Sequence, residues 1–223
     1  MSDTDSFIDE VTEEVRRDQL FALFRKYGWI GVLAIVLIVG AASWKEWQKA
    51  QAEASAQAFG DAIVAAMGSN DSATRAKALA DVAASDKIAG SAGRAAVAAL
   101  MQSAEAEAAG DRAGALALLK TVSDNADVPA LYRDLANLKG LMLDGAAMDP
   151  AARDQALARL AVPGAPYRTL AEEQQALILL DAGKTDEAVA QFRAIAEDAD
   201  TPQSQRGRVG QILSMLGAEP AEG

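Results

Sequence analysis

The feature that most constrains the fold is a repeat. The stretch AGDRAGALALLKTVSDNADVP (Ala109–Pro129) aligns without a gap on AGKTDEAVAQFRAIAEDADTP (Ala182–Pro202), at an offset of 73 residues. Gly110 falls on Gly183, Ala115 on Ala188, Leu116 on Val189, Leu119 on Phe192, Val122 on Ile195 and Pro129 on Pro202. In each copy a Gly turn precedes apolar residues at helical spacing. An Asp-rich turn then meets a proline that cannot continue the helix. An offset of 73 is two units of roughly 36 residues, so an intermediate copy is expected. YRDLANL at Tyr132 recurs as YRTLAEE at Tyr167, thirty-five residues on. Leu143-Asp144-Gly145 ends one helix much as Leu180-Asp181-Ala182-Gly183 ends another. Ala156, Leu157 and Leu160 supply the middle second helix, stopped by PGAP at Pro163–Pro166. A weaker pair runs through Ala76–Val82 and Ala95–Ala106, and Gln205–Gly217 reads as a capping helix.

A helix pair of this size cannot bury its apolar stripe alone, so neighbours must stack. The period predicts an all-α fold with a tetratricopeptide-like helical-repeat solenoid over 69–217 and a flexible tail at 218–223. Composition agrees. About half the chain is hydrophobic, yet aromatics are only 5 %, so much of that share is alanine, the best helix former. Val and Ile are sparse beyond residue 40, which argues against a sheet. The Trp and Tyr positions of standard tetratricopeptide repeats are missing, so this is a divergent version.

Ahead of the repeats, Tyr27–Trp44 carries no charge over eighteen residues. As a helix it spans about 27 Å, close to the roughly 30 Å of a bilayer core. Tyr27 and Trp29 stand at one end, Trp44 and Trp47 at the other, as interfacial anchors do. The small residues Gly40-Ala41-Ala42-Ser43 resemble a cleavage site. The 26 residues before the run hold seven acids and four bases, unlike the short basic start of a signal peptide, so a retained transmembrane helix over 27–44 is the expectation. Arg16, Arg17, Arg25 and Lys26 outnumber Lys45 and Lys49 near the span. The positive-inside rule then puts the N-terminus in the cytoplasm and the repeats outside. Residues 1–26 form a cytoplasmic amphipathic segment, with Phe7, Ile8, Val11 and Val15 at three-to-four spacing, followed by Leu20, Phe21, Leu23 and Phe24. Residues 45–68 continue as a helical neck, ended by Gly68-Ser69-Asn70-Asp71. The alanine-rich part of that neck, Ala50–Ala66, offers a face for pairing with a second copy.

Catalytic chemistry is poorly supported. The chain has no cysteine and no histidine, which removes the commonest nucleophile–base pairs and transition-metal ligands. Glu172-Glu173 and Asp186-Glu187 are adjacent, point apart on a helix and read as solvated surface. Glu197, Asp198 and Asp200 lack calcium-loop spacing, and Gly90–Arg94 lacks the length and the Lys-Ser/Thr of a phosphate loop. The net charge of −11 disfavours nucleic acid. No catalytic, cofactor or metal site is expected. The pairs Tyr132-Arg133 and Tyr167-Arg168 recur at equivalent places. Such residues either pack a helix start or face a partner in a groove, since Tyr and Arg are common interface anchors.

The acidic start, FRKYGWIG leading into one span, and the two repeat signatures together resemble the YfgM-type ancillary translocon subunits in their alphaproteobacterial form. The resemblance covers about Phe7 to Leu216 and rests on repeat consensus. It implies a single-pass inner-membrane anchor displaying a periplasmic tetratricopeptide-like domain, associated with the SecYEG secretion channel and with periplasmic chaperones. The implied role is to help hand translocated polypeptides to those chaperones, without catalysis. The alternative is a tetratricopeptide scaffold regulating cell-envelope or peptidoglycan synthesis during division.

Overall fold

The computed structural model describes residues 3–218, with side chains from residue 25 onward apart from 28, 87 and 88. The amphipathic pattern from Phe7 to Phe24 and tail residues 219–223 lie outside the described side chains. Among the described residues every regular element is a helix. They are α1 (Asp3–Ala66), α2 (Ser72–Ala84), α3 (Asp86–Ala89), α4 (Ala92–Ala108), α5 (Arg112–Asp124), α6 (Ala130–Asp144), α7 (Pro150–Leu160), α8 (Arg168–Asp181), α9 (Thr185–Glu197) and α10 (Gln203–Met215). The chain divides into two compact units, Met1–Ala56 and Gln57–Gly223.

In the first unit α1 is the structure. Its region from Trp29 contains an eighteen-residue window of mean hydropathy 1.6, none of it buried. This helix is long and apolar enough to cross a membrane. A helix is the form such a run requires there, because it satisfies its own backbone hydrogen bonds.

The second unit begins inside α1. Phe59, Ala62, Ile63 and Ala66 pack with Leu79 and Val82 of α2 and with Ala98 of α4. Thereafter consecutive helices stack as antiparallel pairs. We call α4, α6, α8 and α10 the A helices and α5, α7 and α9 the B helices. Caps define their starts. Asp71 accepts the Thr74 N–H at 2.7 Å, Asp111 that of Gly114 at 2.9 Å and Asp149 that of Ala152 at 3.0 Å. Each such cap is worth about 1 kcal/mol.

The 73-residue offset holds in three dimensions. Helix α4 ends at Ala108 and α8 at Asp181; α5 spans Arg112–Asp124 and α9 Thr185–Glu197; α6 starts at Ala130 and α10 at Gln203. Gly110 and Gly183 both sit at positive φ, as a left-handed helix end requires. The next N–H closes each turn on the carbonyl of the third-last helical residue: Asp111 to Ala106 at 2.8 Å, Lys184 to Leu179 at 2.9 Å. The apolar residues paired in sequence are buried in both copies: Ala115 with Ala188, Leu119 with Phe192, Val122 with Ile195. Burying a side chain such as Phe192 contributes about 1.5–3 kcal/mol.

The middle copy departs from this plan. Leu143-Asp144-Gly145 does not end α6 as Leu180–Gly183 ends α8. Gly145 is right-handed, buried, and bonded to the Leu141 carbonyl, and the chain enters a 3-10 turn at Gly145–Ala147. The guanidinium of Arg112 bonds the Leu143 carbonyl and pairs with Asp144 at 3.3 Å. That side chain supplies the helix end that a left-handed glycine supplies elsewhere.

Candidate functional site

The A helices meet in three equivalent joints, and these decide which sequence-predicted residues face outward. In the first joint Ala96 and Leu100 of α4 pack with Tyr132 and Leu135 of α6. In the second, Leu138 of α6 packs with Tyr167 and Leu170 of α8. In the third, the residues 73 positions after the first set are Thr169, Glu173, Gln205 and Arg208. Glu173 is 3 % exposed. Its carboxylate accepts two hydrogen bonds from Arg208, both 2.6 Å, and one from the Gln205 amide at 2.9 Å. Gln205 accepts from the Thr169 hydroxyl at 2.8 Å and donates to the Thr169 carbonyl at 2.7 Å. The expectation of a solvated Glu173 is therefore corrected. Glu172 and Glu173 do point apart, but Glu173 points into the joint, where three donors compensate its burial.

Tyr132 and Tyr167 are thus partly buried members of the joints. Burial, with Asp134 and Tyr132 nearby, pushes the Tyr167 hydroxyl up from its usual range. The arginines point elsewhere. Arg133, Arg168 and Arg206 occupy one register on successive A helices, and two are engaged. Arg168 pairs with Asp198 at 2.8 Å, Asp200 at 3.0 Å and Glu172 at 3.2 Å. The Arg168 guanidinium, and then the Asp200 backbone N–H, hold the Asp198 carboxyl below the usual carboxylate range. Arg206 donates to the carbonyls of Ala196, Asp198 and Thr201 at 2.9–3.2 Å. The half-buried Arg133 side chain makes no hydrogen bond or ion pair with the described residues.

Two grooves run over the outer stripes of α6 and α8. The groove over α8, about 370 Å³, is lined by Arg168, Glu172, Gln175, Gln191 and Asp198. Gln191 donates to the Glu172 carbonyl at 2.8 Å and to Gln175 at 3.3 Å, giving a polar, bonded floor. The groove over α6, about 390 Å³, has Asn137, Gly140 and Ala156 thirty-five residues before Glu172, Gln175 and Gln191. Leu116, Leu119, Leu141 and Met148 complete an apolar floor. Its two acids are occupied, Asp124 by Lys120 at 2.7 Å and Asp144 by Arg112. On another face of α6, Met142 is 59 % exposed and borders two further clefts of about 200 and 270 Å³. Its counterpart 73 residues on, Met215, is 79 % exposed.

Sequence reading named Arg133 but missed Asn137, Gly140, Ala156 and Met142. The 35-residue alignment already sets Asn137 against Glu172 within YRDLANL, and extending it would have exposed Gly140 and Ala156 as small replacements for larger polar residues.

The chain belongs to the tetratricopeptide repeat-like domain family. A family model of that description matches residues 24–215. No curated protein and no solved structure matches the chain. Tetratricopeptide repeat-like domains are protein-interaction scaffolds, and among the described residues no group of acidic side chains is arranged to hold a metal. The matched region includes the apolar helix, whose aromatics are exposed. Tyr27, Trp29, Trp44 and Trp47 are 50–63 % exposed. Lys26 lies 5.6 Å from the Tyr27 ring centre, and the Trp44 and Trp47 rings are 5.3 Å apart.

Proposed function

We propose that the protein is an inner-membrane-anchored adaptor whose repeat domain works in the periplasm. It sits beside the SecYEG secretion channel and helps pass translocated polypeptides to periplasmic chaperones. In this reading residues 27–44 are the span and Tyr27, Trp29, Trp44 and Trp47 its interfacial anchors. The supporting observation is the coupling of an unburied apolar helix to a repeat domain with an apolar groove. Such an arrangement holds a protein-binding surface close to a bilayer. The resemblance to the YfgM-type subunits supplies the channel and the chaperones as partners, and the basic residues before Tyr27 supply the orientation.

The test is a photo-crosslinking residue at Asn137 or Met142 of the full chain in living cells, with a topology reporter fused after Gly223. Adducts with channel subunits or periplasmic chaperones and a periplasmic reporter signal are expected. A cytoplasmic reporter signal would overturn the reading. Adducts confined to an envelope synthase would replace it with the scaffold role in wall synthesis.

A further inference from the structure

Arg133 stands one turn before Asn137 on the same stripe of α6, just beyond the lining of its groove, and the groove over α8, which Arg168 does line, shows what suits such a place. Arg133 and Arg168 hold equivalent places at the start of their helices. Three side-chain carboxylates surround Arg168, from Glu172 on its own helix and from Asp198 and Asp200 in the turn after α9. Around Arg133 none of the three is reproduced. The position of Glu172 is taken by Asn137, and the turn after α7 reads Ala161-Val162-Pro163-Gly164, without an acid. A guanidinium in a partly desolvated place favours a carboxylate strongly, through paired charge-assisted hydrogen bonds. Two turns along the same stripe, Gly140 leaves room. A Cβ built there meets no neighbouring element within 4 Å, and the surrounding floor is apolar.

From this juxtaposition we infer that the groove over α6 receives a polypeptide segment bearing one Asp or Glu next in register to a bulky apolar residue. The carboxylate meets Arg133, and the apolar side chain lies over Gly140. The inference rests on the reading of the protein as an adaptor and names the chemistry of its client segment. Seven helical residues separate Arg133 from Gly140, about 10.5 Å along the axis. The Arg133 side chain leans toward the helix N-terminus and lengthens that span, and four residues of extended chain cover about 13 Å with both side chains on one face, so the two recognised side chains stand four apart. A side-chain carboxylate is preferred to a chain end because the carboxylates on Arg168 come from within a continuing chain. One carboxylate suffices, since the net charge of −11 repels a run of acids.

The probes are acetylated, amidated, dye-labelled ten-residue Ser/Gly peptides containing Glu-Ser-Ser-Ser-Leu, with Gln-Ser-Ser-Ser-Leu as control, titrated by anisotropy against the purified full chain in lipid nanodiscs. The Glu peptide is expected to bind roughly tenfold more tightly than the Gln peptide. Arg133→Gln, which has no partner among the described residues to lose, should abolish that difference. Gly140→Gln, which installs the residue of the α8 groove, should weaken both peptides. Equal affinity for Glu and Gln peptides, an undiminished preference in Arg133→Gln, or no binding of the Glu peptide at millimolar concentration would each overturn the inference. So would tighter binding of a Gln peptide with a free C-terminus, which would assign Arg133 to chain-end capture. Because the measurement uses purified chain and no channel, it fails independently of the crosslinking and topology experiment.

Discussion

The first and third joints between A helices have the same backbone plan and opposite chemistry. Ala96, Leu100, Tyr132 and Leu135 form an apolar contact; Thr169, Glu173, Gln205 and Arg208, 73 residues later, form a hydrogen-bonded network around a buried carboxylate. The difference teaches that a repeat period fixes where a residue sits, while the chemistry at that position changes as a set. Glu173 is tolerable in a leucine's place because its neighbours changed with it. A buried carboxylate without donors would be neutralised or expelled.

Putting one member of the third set into the first joint is the harshest way to break this comparison. Leu100→Glu brings a carboxylate against Tyr132 and Leu135 with no cation. A loss above about 4 kcal/mol, enough to unfold the domain, is expected. Hydrogen exchange should locate the loss in α4–α6. Tryptophan fluorescence would miss it, because all three tryptophans lie in α1.

Next in size is Arg208→Leu, which leaves Glu173 buried with only Gln205 as a donor. Breaking a buried pair costs about 3–5 kcal/mol, and the lower end applies because Arg208 is half exposed, at 49 %. A change below about 1 kcal/mol in urea unfolding followed by circular dichroism would show that water substitutes for Arg208. Replacing all four residues by their counterparts, Thr169→Ala, Glu173→Leu, Gln205→Tyr and Arg208→Leu, should be neutral or stabilise by about 1–4 kcal/mol. A clear destabilisation in the same unfolding experiment would mean that the joints differ in backbone spacing as well as chemistry.

A smaller asymmetry lies in the turns. Val128 and Thr201 are equivalent and both buried, but the Thr201 hydroxyl has no hydrogen-bond partner. Thr201→Val should raise stability by about 1 kcal/mol, visible as a higher melting temperature. The smallest effect expected is with pH. Arg168 lowers the folded-state pKa of Asp198, so this pair stabilises the fold fully above the unfolded value of about 3.9. That contribution is lost as pH falls through the lower folded value. Amide exchange around 198–206 should therefore accelerate below about pH 4 more than around 125–133. Equal acceleration in both turns would remove Asp198 as the cause.

Much of this was legible in the sequence. The ungapped alignment located α5 and α9, the glycines that end the preceding helices and the prolines before α6 and α10, because those positions are set by local backbone chemistry. The joints were not legible. Whether Glu173 faces water or a neighbouring helix depends on Gln205 and Arg208, thirty-two and thirty-five residues away, and adjacent acids carry no sign of that. The middle repeat was half legible. Pro163–Pro166 marked its end and Leu143–Gly145 the end of α6, but nothing local showed that Gly145 stays right-handed while Arg112, from another helix, bonds that end.

The polar joint has a consequence for how the chain reaches its fold. Because α6 and α10 start in identical register, a nascent or unfolding chain can try to seat one in the other's place. In that exchange Glu173 would meet Tyr132 and Leu135, while Arg208 would lie against Leu100. The mispaired state buries unmatched charge, so each A helix is admitted by one neighbour and refused by the other.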